Sequence, residues 1–316
     1  MPRPFRFGVQ LSSLPGATFA QRVRRIEAQG YASAFWPDHF GPQLEPVAAL
    51  AAAAAVTTTL RVGSLVYGVD YRHPVVLAKA AATIQLLSGG RHEFGLGAGW
   101  MRSDYDQAGM AYDRPSLRIE RLEEALTIIR SMWSEPKTSF SGRHYRVTDL
   151  PRAVEPSPAA PPAVLVGGGG RKVLGVAGRH ADIVGINPSI PEGRVLPHTI
   201  HDLAPERVRE KIEWVREAAE AAGRDFGALE LQSLVFVTAV TDEPRPVREL
   251  VAKQTGMSVE DVARCAGFLT GPGSEIRERL ERRREETGIS YVVIQSGDEA
   301  TLERFAEGVV APLAGR

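Results

Sequence analysis

One strand–helix unit is evident in residues 162–178, whose sequence is PAVLVGGGGRKVLGVAG. The apolar run at residues 163–166 predicts a buried strand, and residues 173–178 have the apolar spacing of a helix. The turn between them consists of four glycines, Gly167, Gly168, Gly169 and Gly170. Such a turn leaves backbone N–H groups uncovered at the positive end of the helix dipole. We interpret it, together with Arg171, as a phosphate cradle in preference to a flexible surface loop.

The same alternation of short apolar runs and helical segments extends along the chain. Strands are predicted at residues 5–11, 32–36, 60–67, 92–96, 163–166, 181–186, 229–240 and 290–295. Helices are predicted at residues 19–29, 46–57, 74–87, 173–178, 205–222 and 274–286, with a further one after Ser116. About eight strand–helix units therefore follow one another.

Helical crossovers join parallel strands, so this order predicts a mostly parallel sheet that is buried on both faces. We expect an α/β fold of the closed (β/α)8 TIM-barrel type with insertions, rather than an open doubly wound sheet. The chain is interpreted as one domain over residues 1–316, with insertion loops at 133–162 and 188–204. Long loops of this kind are usually functional.

Composition narrows the classes of function. The 316 residues are 43% hydrophobic, and 38 Lys and Arg balance 38 Asp and Glu, so the formal net charge is +0. That balance argues against nucleic acid as the main partner. One cysteine, Cys265, and scattered histidines do not form a metal-site pattern, so no metal is expected. We see neither a signal peptide nor a membrane-spanning run, and expect a cytoplasmic protein that has no membrane partner.

Residues that follow barrel strands are the candidates for chemistry, because TIM-barrel sites lie at the carboxyl ends of the strands. The second predicted strand is followed by Asp38 and His39, which suit proton transfer but could equally be a turn cap and a satisfied polar residue. The fourth ends in the stretch GLGAGW, residues 95–100. Its glycines would let a planar ligand approach the backbone and Trp100 would add an aromatic face, although packing alone also explains such a strand end.

Several motifs together resemble a known family. They are RHP at residues 72–74, LLSGGR at 86–91, GLGAGW at 95–100, PPAVLVGG at 161–168 and RHAD at 179–182. This combination resembles the bacterial-luciferase-like flavin and deazaflavin oxidoreductases over nearly the whole chain. Asp38-His39 and the segment WMRSDY at 100–105 are similar to the coenzyme F420-dependent branch of that family.

The resemblance implies a luciferase-like barrel with a cofactor at its carboxyl-terminal face and hydride transfer as the chemistry. It places the cofactor ring over the third strand at Ser64, Leu65 and Val66, with a cis peptide bond at Leu65–Val66. Gly99 would line the same pocket, and the cradle at residues 167–170 with Arg171 would hold the cofactor phosphate. Asp38 and His39 would face the polar edge of the ring.

One residue departs from the family pattern. Where the family's sugar-phosphate dehydrogenases carry an acidic residue after the fourth strand, this chain has Trp100. We therefore expect a less polar small-molecule substrate, with a carbonyl group or a conjugated double bond, in place of a sugar phosphate. In this interpretation His39 manages the proton, Asp38 orients His39 or bonds the ring edge, and Trp100 walls the substrate pocket.

The leading hypothesis is an F420-dependent oxidoreductase that transfers hydride between the deazaflavin C5 and a small organic substrate. An FMN-dependent luciferase-like monooxygenase is the first alternative. A non-catalytic F420-binding or flavin-binding protein is the second. The resemblance and the apolar outer faces of the early helices also allow a homodimer.

Overall fold

The computed structural model describes residues 3–11, 18–155 and 160–316. In the first half of the chain the elements are β1 (Arg6–Gln10), α1 (Phe19–Ala28), β2 (Ser33–Trp36), α2 (Pro46–Val56), β3 (Arg61–Ser64), β4 (Tyr67–Gly68), α3 (Pro74–Leu87), β5 (His92–Gly97), α4 (Arg102–Ala108), α5 (Pro115–Ser134), β6 (Lys137–Ser141) and β7 (Arg146–Pro151).

The second half begins with the strand that precedes the glycine cradle. Its elements are β8 (Ala163–Gly168), α6 (Arg171–His180), β9 (Ile183–Ile186), a 3-10 helix (Pro197–Leu203), α7 (Pro205–Ala221), a 3-10 turn (Phe226–Ala228), β10 (Glu230–Val235), β11 (Val237–Val240), α8 (Arg245–Thr255), α9 (Val259–Arg264), β12 (Phe268–Gly271), α10 (Gly273–Thr287), β13 (Ile289–Gln295), α11 (Glu299–Phe305), a π-helical turn (Ala306–Val310) and α12 (Ala311–Leu313).

The central sheet closes on itself. Its order is β3-β2-β1-β13-β10-β9-β8-β5-β4, and a further pairing of β3 with β5 completes the circle. Every pairing in this sheet is parallel. β3 and β4 follow one another and together form one of the eight barrel strands. The structure therefore confirms the predicted (β/α)8 barrel, an α/β fold of the luciferase-like type.

Local sequence explains where the crossover helices begin. Pro46 and Pro74 occupy the first turns of α2 and α3, where a missing N–H costs nothing. Glu45 and His73 precede them and accept hydrogen bonds from the exposed N–H groups of Ala48 and Val75. These caps satisfy N–H groups that have no partner within the first turn of each helix.

A charged cluster fills the barrel at the end where β5 begins. Glu93 is 1% exposed and its carboxylate accepts hydrogen bonds from Arg6 at 2.9 Å and Arg61 at 2.7 Å. Tyr291 donates a third, at 2.7 Å. Burial alone would raise the pKa of Glu93, but the two arginines hold it below its ordinary value.

The third predicted strand is interrupted. Residues 60–67 were expected as one strand, but the peptide bond between Leu65 and Val66 is cis and separates β3 from β4. The position of this bond is the one that the family resemblance implies. Periodicity cannot reveal such a bond, because the side chains on both sides remain apolar.

Other differences lie in the segments between barrel strands. The predicted insertion at 133–162 contains a hairpin of β6 and β7, and the one at 188–204 contains the 3-10 helix. The predicted strand 229–240 is two strands, of which β10 belongs to the barrel and β11 pairs with β12 in a separate sheet. Helices α4, α8, α9, α11 and α12 were not predicted. None of the described helices is long and apolar enough to cross a membrane.

Candidate active site

A cavity of about 920 Å³ opens at the carboxyl ends of the barrel strands. Predicted site residues line much of it: Asp38, His39, Leu65, Val66, Gly99, Trp100, Gly167, Gly168, Gly169 and Gly170. Pockets for cofactors and their substrates are commonly of this size. The cavity is therefore the candidate active site.

The cis bond forms part of the cavity wall. Gln10, the last residue of β1, is buried and donates a hydrogen bond from Nε2 to the Leu65 carbonyl at 2.6 Å. Gly97 lies behind Val66, and a Cβ at this glycine would come within 2.6 Å of the Val66 Cγ2 atom. Gly99 has a φ of 72°, and a Cβ there would meet the Tyr105 hydroxyl at 2.1 Å. Gly97 is therefore needed for packing against Val66, and Gly99 is needed for packing against Tyr105 of α4.

Asp38 is buried, and its side chain forms hydrogen bonds within the fold. Its Oδ2 atom accepts hydrogen bonds from the backbone N–H of Gly68 at 3.0 Å and from Arg72 at 2.7 Å. Arg72 also pairs with Glu45 at 2.7 Å. Asp38 therefore fixes β4 beside the loop that follows β2, and its side chain is not the partner of His39.

Asp104 takes the orienting role that was predicted for Asp38. His39 Nδ1 lies 2.6 Å from Asp104 Oδ2, and Tyr71 donates a second hydrogen bond to the same oxygen at 3.1 Å. Asp104 is 4% exposed. Its carboxylate fixes the plane of the imidazole, so that Nε2 is the nitrogen left for a ligand in the cavity.

Burial, and then the Asp104 carboxylate, raise the pKa of Tyr71 above its ordinary value. The Tyr71 phenol is therefore a stable donor at neutral pH. It supports the His39–Asp104 pair without competing for its proton.

Trp100 stands beside this pair. Its ring meets that of His39 edge to face, with centroids 5.6 Å apart and an interplanar angle of 85°. The Trp100 carbonyl accepts a hydrogen bond from Tyr112 at 3.0 Å. An aromatic surface therefore borders the imidazole in the cavity.

The glycine cradle follows β8 and opens α6. A Cβ at Gly169 would lie 2.2 Å from the carbonyl carbon of Pro188, so backbone packs directly on backbone there. Gly170 precedes α6, and a Cβ at this position would find its nearest neighbour, Ser189 Oγ, only at 3.8 Å. The space in front of Gly170 is thus open to a ligand at the start of a helix, where backbone N–H groups favour anions.

Two of the predicted cofactor-binding residues point elsewhere. Arg171 forms an exposed ion pair with Glu217 of α7 at 2.8 Å, and Lys172 lines the cavity in its place. Ser64 is buried and donates its hydroxyl to the Trp36 carbonyl at 3.0 Å, so it joins β3 to β2.

Sequence reasoning missed several cavity residues. Asn187 directly follows the predicted strand 181–186, so the rule that located Asp38 would have found it. Gln10 lies inside the predicted strand 5–11, where that rule does not look. Asp104 is different, because it lies on an unpredicted helix, 65 residues beyond its partner His39. No local pattern joins two such positions.

A family model described as luciferase-like monooxygenase matches residues 4–302. The chain belongs to this family. With the barrel and the cavity described above, the match identifies the protein as an enzyme.

The curated relatives include both an F420-dependent dehydrogenase and a monooxygenase. The F420-dependent glucose-6-phosphate dehydrogenase of Intrasporangium calvum is 29% identical to this chain, and the match covers 92% of this chain and 93% of the relative. The pyrimidine monooxygenase RutA of Enterobacter cloacae is 30% identical over 227 residues, or 71% of this chain. That match spans 56% of the length of the monooxygenase.

Among solved structures, the F420-dependent tetrahydromethanopterin reductase of Methanopyrus kandleri has a TM-score of 0.79. It covers 98% of this chain and 99% of its own, with 17% sequence identity. At that identity the similarity shows a shared fold and nothing more.

Proposed function

We propose that this enzyme is a coenzyme F420-dependent oxidoreductase that transfers hydride between the deazaflavin and a small organic substrate. The observation that carries the proposal is the hydrogen bond of 2.6 Å between His39 and Asp104 at the cavity wall. It prepares one imidazole nitrogen for proton exchange beside a ligand. The match to an F420-dependent dehydrogenase over 92% of the chain supports the choice of cofactor.

The cavity residues fit such a cofactor. A planar ring can lie against the bend at Leu65 and Val66, which both line the cavity. The open space at Gly170, which a side chain would fill, suits the cofactor phosphate, with Lys172 at the same end of α6. These residues would hold either a deazaflavin or a flavin ring.

When bound, the deazaflavin supplies hydride exchange at its C5 atom. His39 would hold or accept the accompanying proton at Nε2, since Nδ1 is engaged by Asp104. Asp104 would keep the imidazole in this orientation, and Tyr71 would keep Asp104 in place. Trp100 would exclude water from one side of the reacting groups.

The substrate of the Intrasporangium relative does not carry over to this chain. Trp100 presents an aromatic ring at the edge of His39, and a sugar phosphate needs hydrogen-bonding groups there. We propose instead an organic substrate with an apolar body and a carbonyl group or a conjugated double bond.

An FMN-dependent monooxygenase is the second candidate, because the pyrimidine monooxygenase is 30% identical to this chain. The test measures oxygen uptake with reduced FMN, and oxidation of reduced F420 without oxygen, against one panel of carbonyl and conjugated acceptors. Acceptor-dependent F420 oxidation supports the proposal. Substrate-dependent oxygen uptake with FMN alone favours the monooxygenase, and binding without turnover favours a cofactor-binding protein.

A further inference from the structure

Arg118, in the first turns of α5, is a buried cation that has no counterion within residues 3–11, 18–155 and 160–316. The residue is 4% exposed and lines the cavity. Its Nε and Nη1 atoms are buried and have no hydrogen-bond partner among the described residues. Because an unpaired buried charge is costly, such a guanidinium is best satisfied by an anion that enters the cavity.

The next arginine of α5 is paired with carboxylates. Arg121, one turn further along α5, pairs with Asp113 at 2.7 Å and with Asp70. Asp70 also accepts a hydrogen bond from Tyr105 at 2.8 Å. The helix thus carries two arginines on neighbouring turns, one with two carboxylates and the other with none among the described residues.

Contacts place Arg118 on the wall of the cavity that carries Trp100. The Arg118 guanidinium carbon lies 4.1 Å from the ring centroid of Tyr112, whose hydroxyl binds the Trp100 carbonyl at 3.0 Å. Trp100 in turn contacts His39. Lys172, the other cavity cation, belongs to the glycine cradle on α6. Lys172 therefore lies at the glycine cradle, and Arg118 lies on the wall that carries Trp100, the neighbour of His39.

We propose that Arg118 binds a carboxylate group of the substrate. The planar fork of a guanidinium matches the two oxygens of a carboxylate, and stacking on Tyr112 fixes its plane. Apolar side chains also line the cavity and would receive the rest of the molecule: Met101, Ile119, Phe236 and Phe268. The substrate class is then an aryl or alkyl carboxylic acid. The role in turnover rests on the proposed function, whereas carboxylate binding does not.

The test uses three carboxylates (benzoate, trans-cinnamate and hexanoate) and their neutral methyl esters as probes. Calorimetry gives the dissociation constant of each for the protein saturated with oxidised F420. Wild-type protein should bind at least one acid more tightly than its ester. Arg118→Met should weaken acid binding about 10- to 100-fold and leave the ester unchanged, because it removes a charged hydrogen-bond donor and keeps the apolar stem. Arg118→Lys should retain part of the preference.

Arg171→Met is the matched control, since Arg171 is exposed and paired with Glu217, and it should change neither constant. Thermal melting checks that each variant is folded. If Arg118→Met does not fold, the comparison is made with Arg118→Lys. The proposal is overturned if no acid binds more tightly than its ester. It is also overturned if Arg118→Met weakens F420 binding and leaves acid binding intact, which would assign Arg118 to the cofactor. If wild-type protein does not bind F420, the same titrations on the unloaded protein still decide the role of Arg118, while the proposed function fails separately.

Discussion

At the scale of single residues, the pairing of His39 with Asp104 distinguishes this site from the one that the sequence suggested. Asp38 and His39 are adjacent in the loop after β2, but the side chain of His39 pairs with Asp104 and not with Asp38. Asp38 instead accepts from Arg72 and Gly68, and its loss would disturb the backbone at β4. The roles of the two carboxylates can therefore be separated by experiment.

His39→Ala should lower kcat about 100- to 10,000-fold, the usual contribution of a positioned acid–base group. The dissociation constant of F420 should stay nearly unchanged, because the cradle and the bend at Val66 are untouched. Steady-state kinetics and fluorescence titration measure the two effects. Unchanged kcat would remove His39 from the mechanism.

Asp104→Asn tests positioning. It replaces the charged acceptor of the His39 hydrogen bond with a weaker neutral one, so the imidazole is held less firmly and kcat should fall while KM stays nearly unchanged. Asp106→Asn, on the same helix but in an exposed pair with Arg102, is the control and should change neither constant. Steady-state kinetics measure both constants, and an unchanged kcat in Asp104→Asn would contradict the positioning role.

At the scale of elements, the barrel strands and most crossover helices could be predicted from the sequence, because each is a local pattern bounded by residues such as Pro and Gly. Helix α3 was predicted at its observed bounds, since Pro74 begins it and Ser88-Gly89-Gly90 ends it. Short helices such as α4 carry no comparable signal: its seven residues contain one aromatic side chain and no aliphatic side chain larger than alanine. Asp104 was missed for this reason.

The glycines of the cradle differ in how closely they are packed: Gly168 and Gly169 are required by the fold, whereas Gly170 leaves room for a ligand. A side chain at Gly168 or Gly169 would meet Val173 or the Pro188 backbone within 2.3 Å, so substitution there disturbs the fold. Gly170 has room, with 3.8 Å to its nearest neighbour. Gly170→Val should therefore leave the melting temperature nearly unchanged and weaken cofactor binding by about tenfold or more, or about 1.4 kcal/mol.

Gly175→Ala, within α6 and outside the cavity lining, is the matched control and should leave cofactor affinity unchanged. Fluorescence titration with the cofactor gives both constants. Full affinity in Gly170→Val would mean that the start of α6 does not hold the phosphate.

The charged cluster at the opposite end of the barrel should act on stability alone. Glu93→Gln leaves Arg6 and Arg61 without their shared carboxylate, and should cost about 3 kcal/mol in the free energy of unfolding. Glu217→Gln, in an exposed pair, should cost less than about 1 kcal/mol. Urea denaturation measures both, and equal costs would contradict the role given to Glu93.

At the scale of the whole molecule, buried His92 should contribute to the pH dependence of stability. Burial lowers the pKa of His92 from 6.5 to about 4. Between these two values the unfolded chain binds a proton that the folded chain does not, so this residue makes stability fall as the pH decreases from 6.5 towards 4. The slope from one proton is at most about 1.4 kcal/mol per pH unit.

His92→Gln should reduce that slope, and His198→Gln, at an exposed position, should not. Denaturation at several pH values measures the difference between each variant and the wild-type protein. Parallel curves for wild type and His92→Gln would show that the histidine is protonated alike in both states.

The identity of the cofactor determines the chemistry of the entire cavity, and a paired titration tests it most directly. Purified protein is titrated with oxidised F420 and, separately, with FMN, while fluorescence and melting temperature are followed, because a ligand that binds the native state stabilises it. We expect tight binding and a rise in melting temperature with F420, and weak binding of FMN. Tight binding of FMN with no effect of F420 would overturn the assignment of F420 as the cofactor.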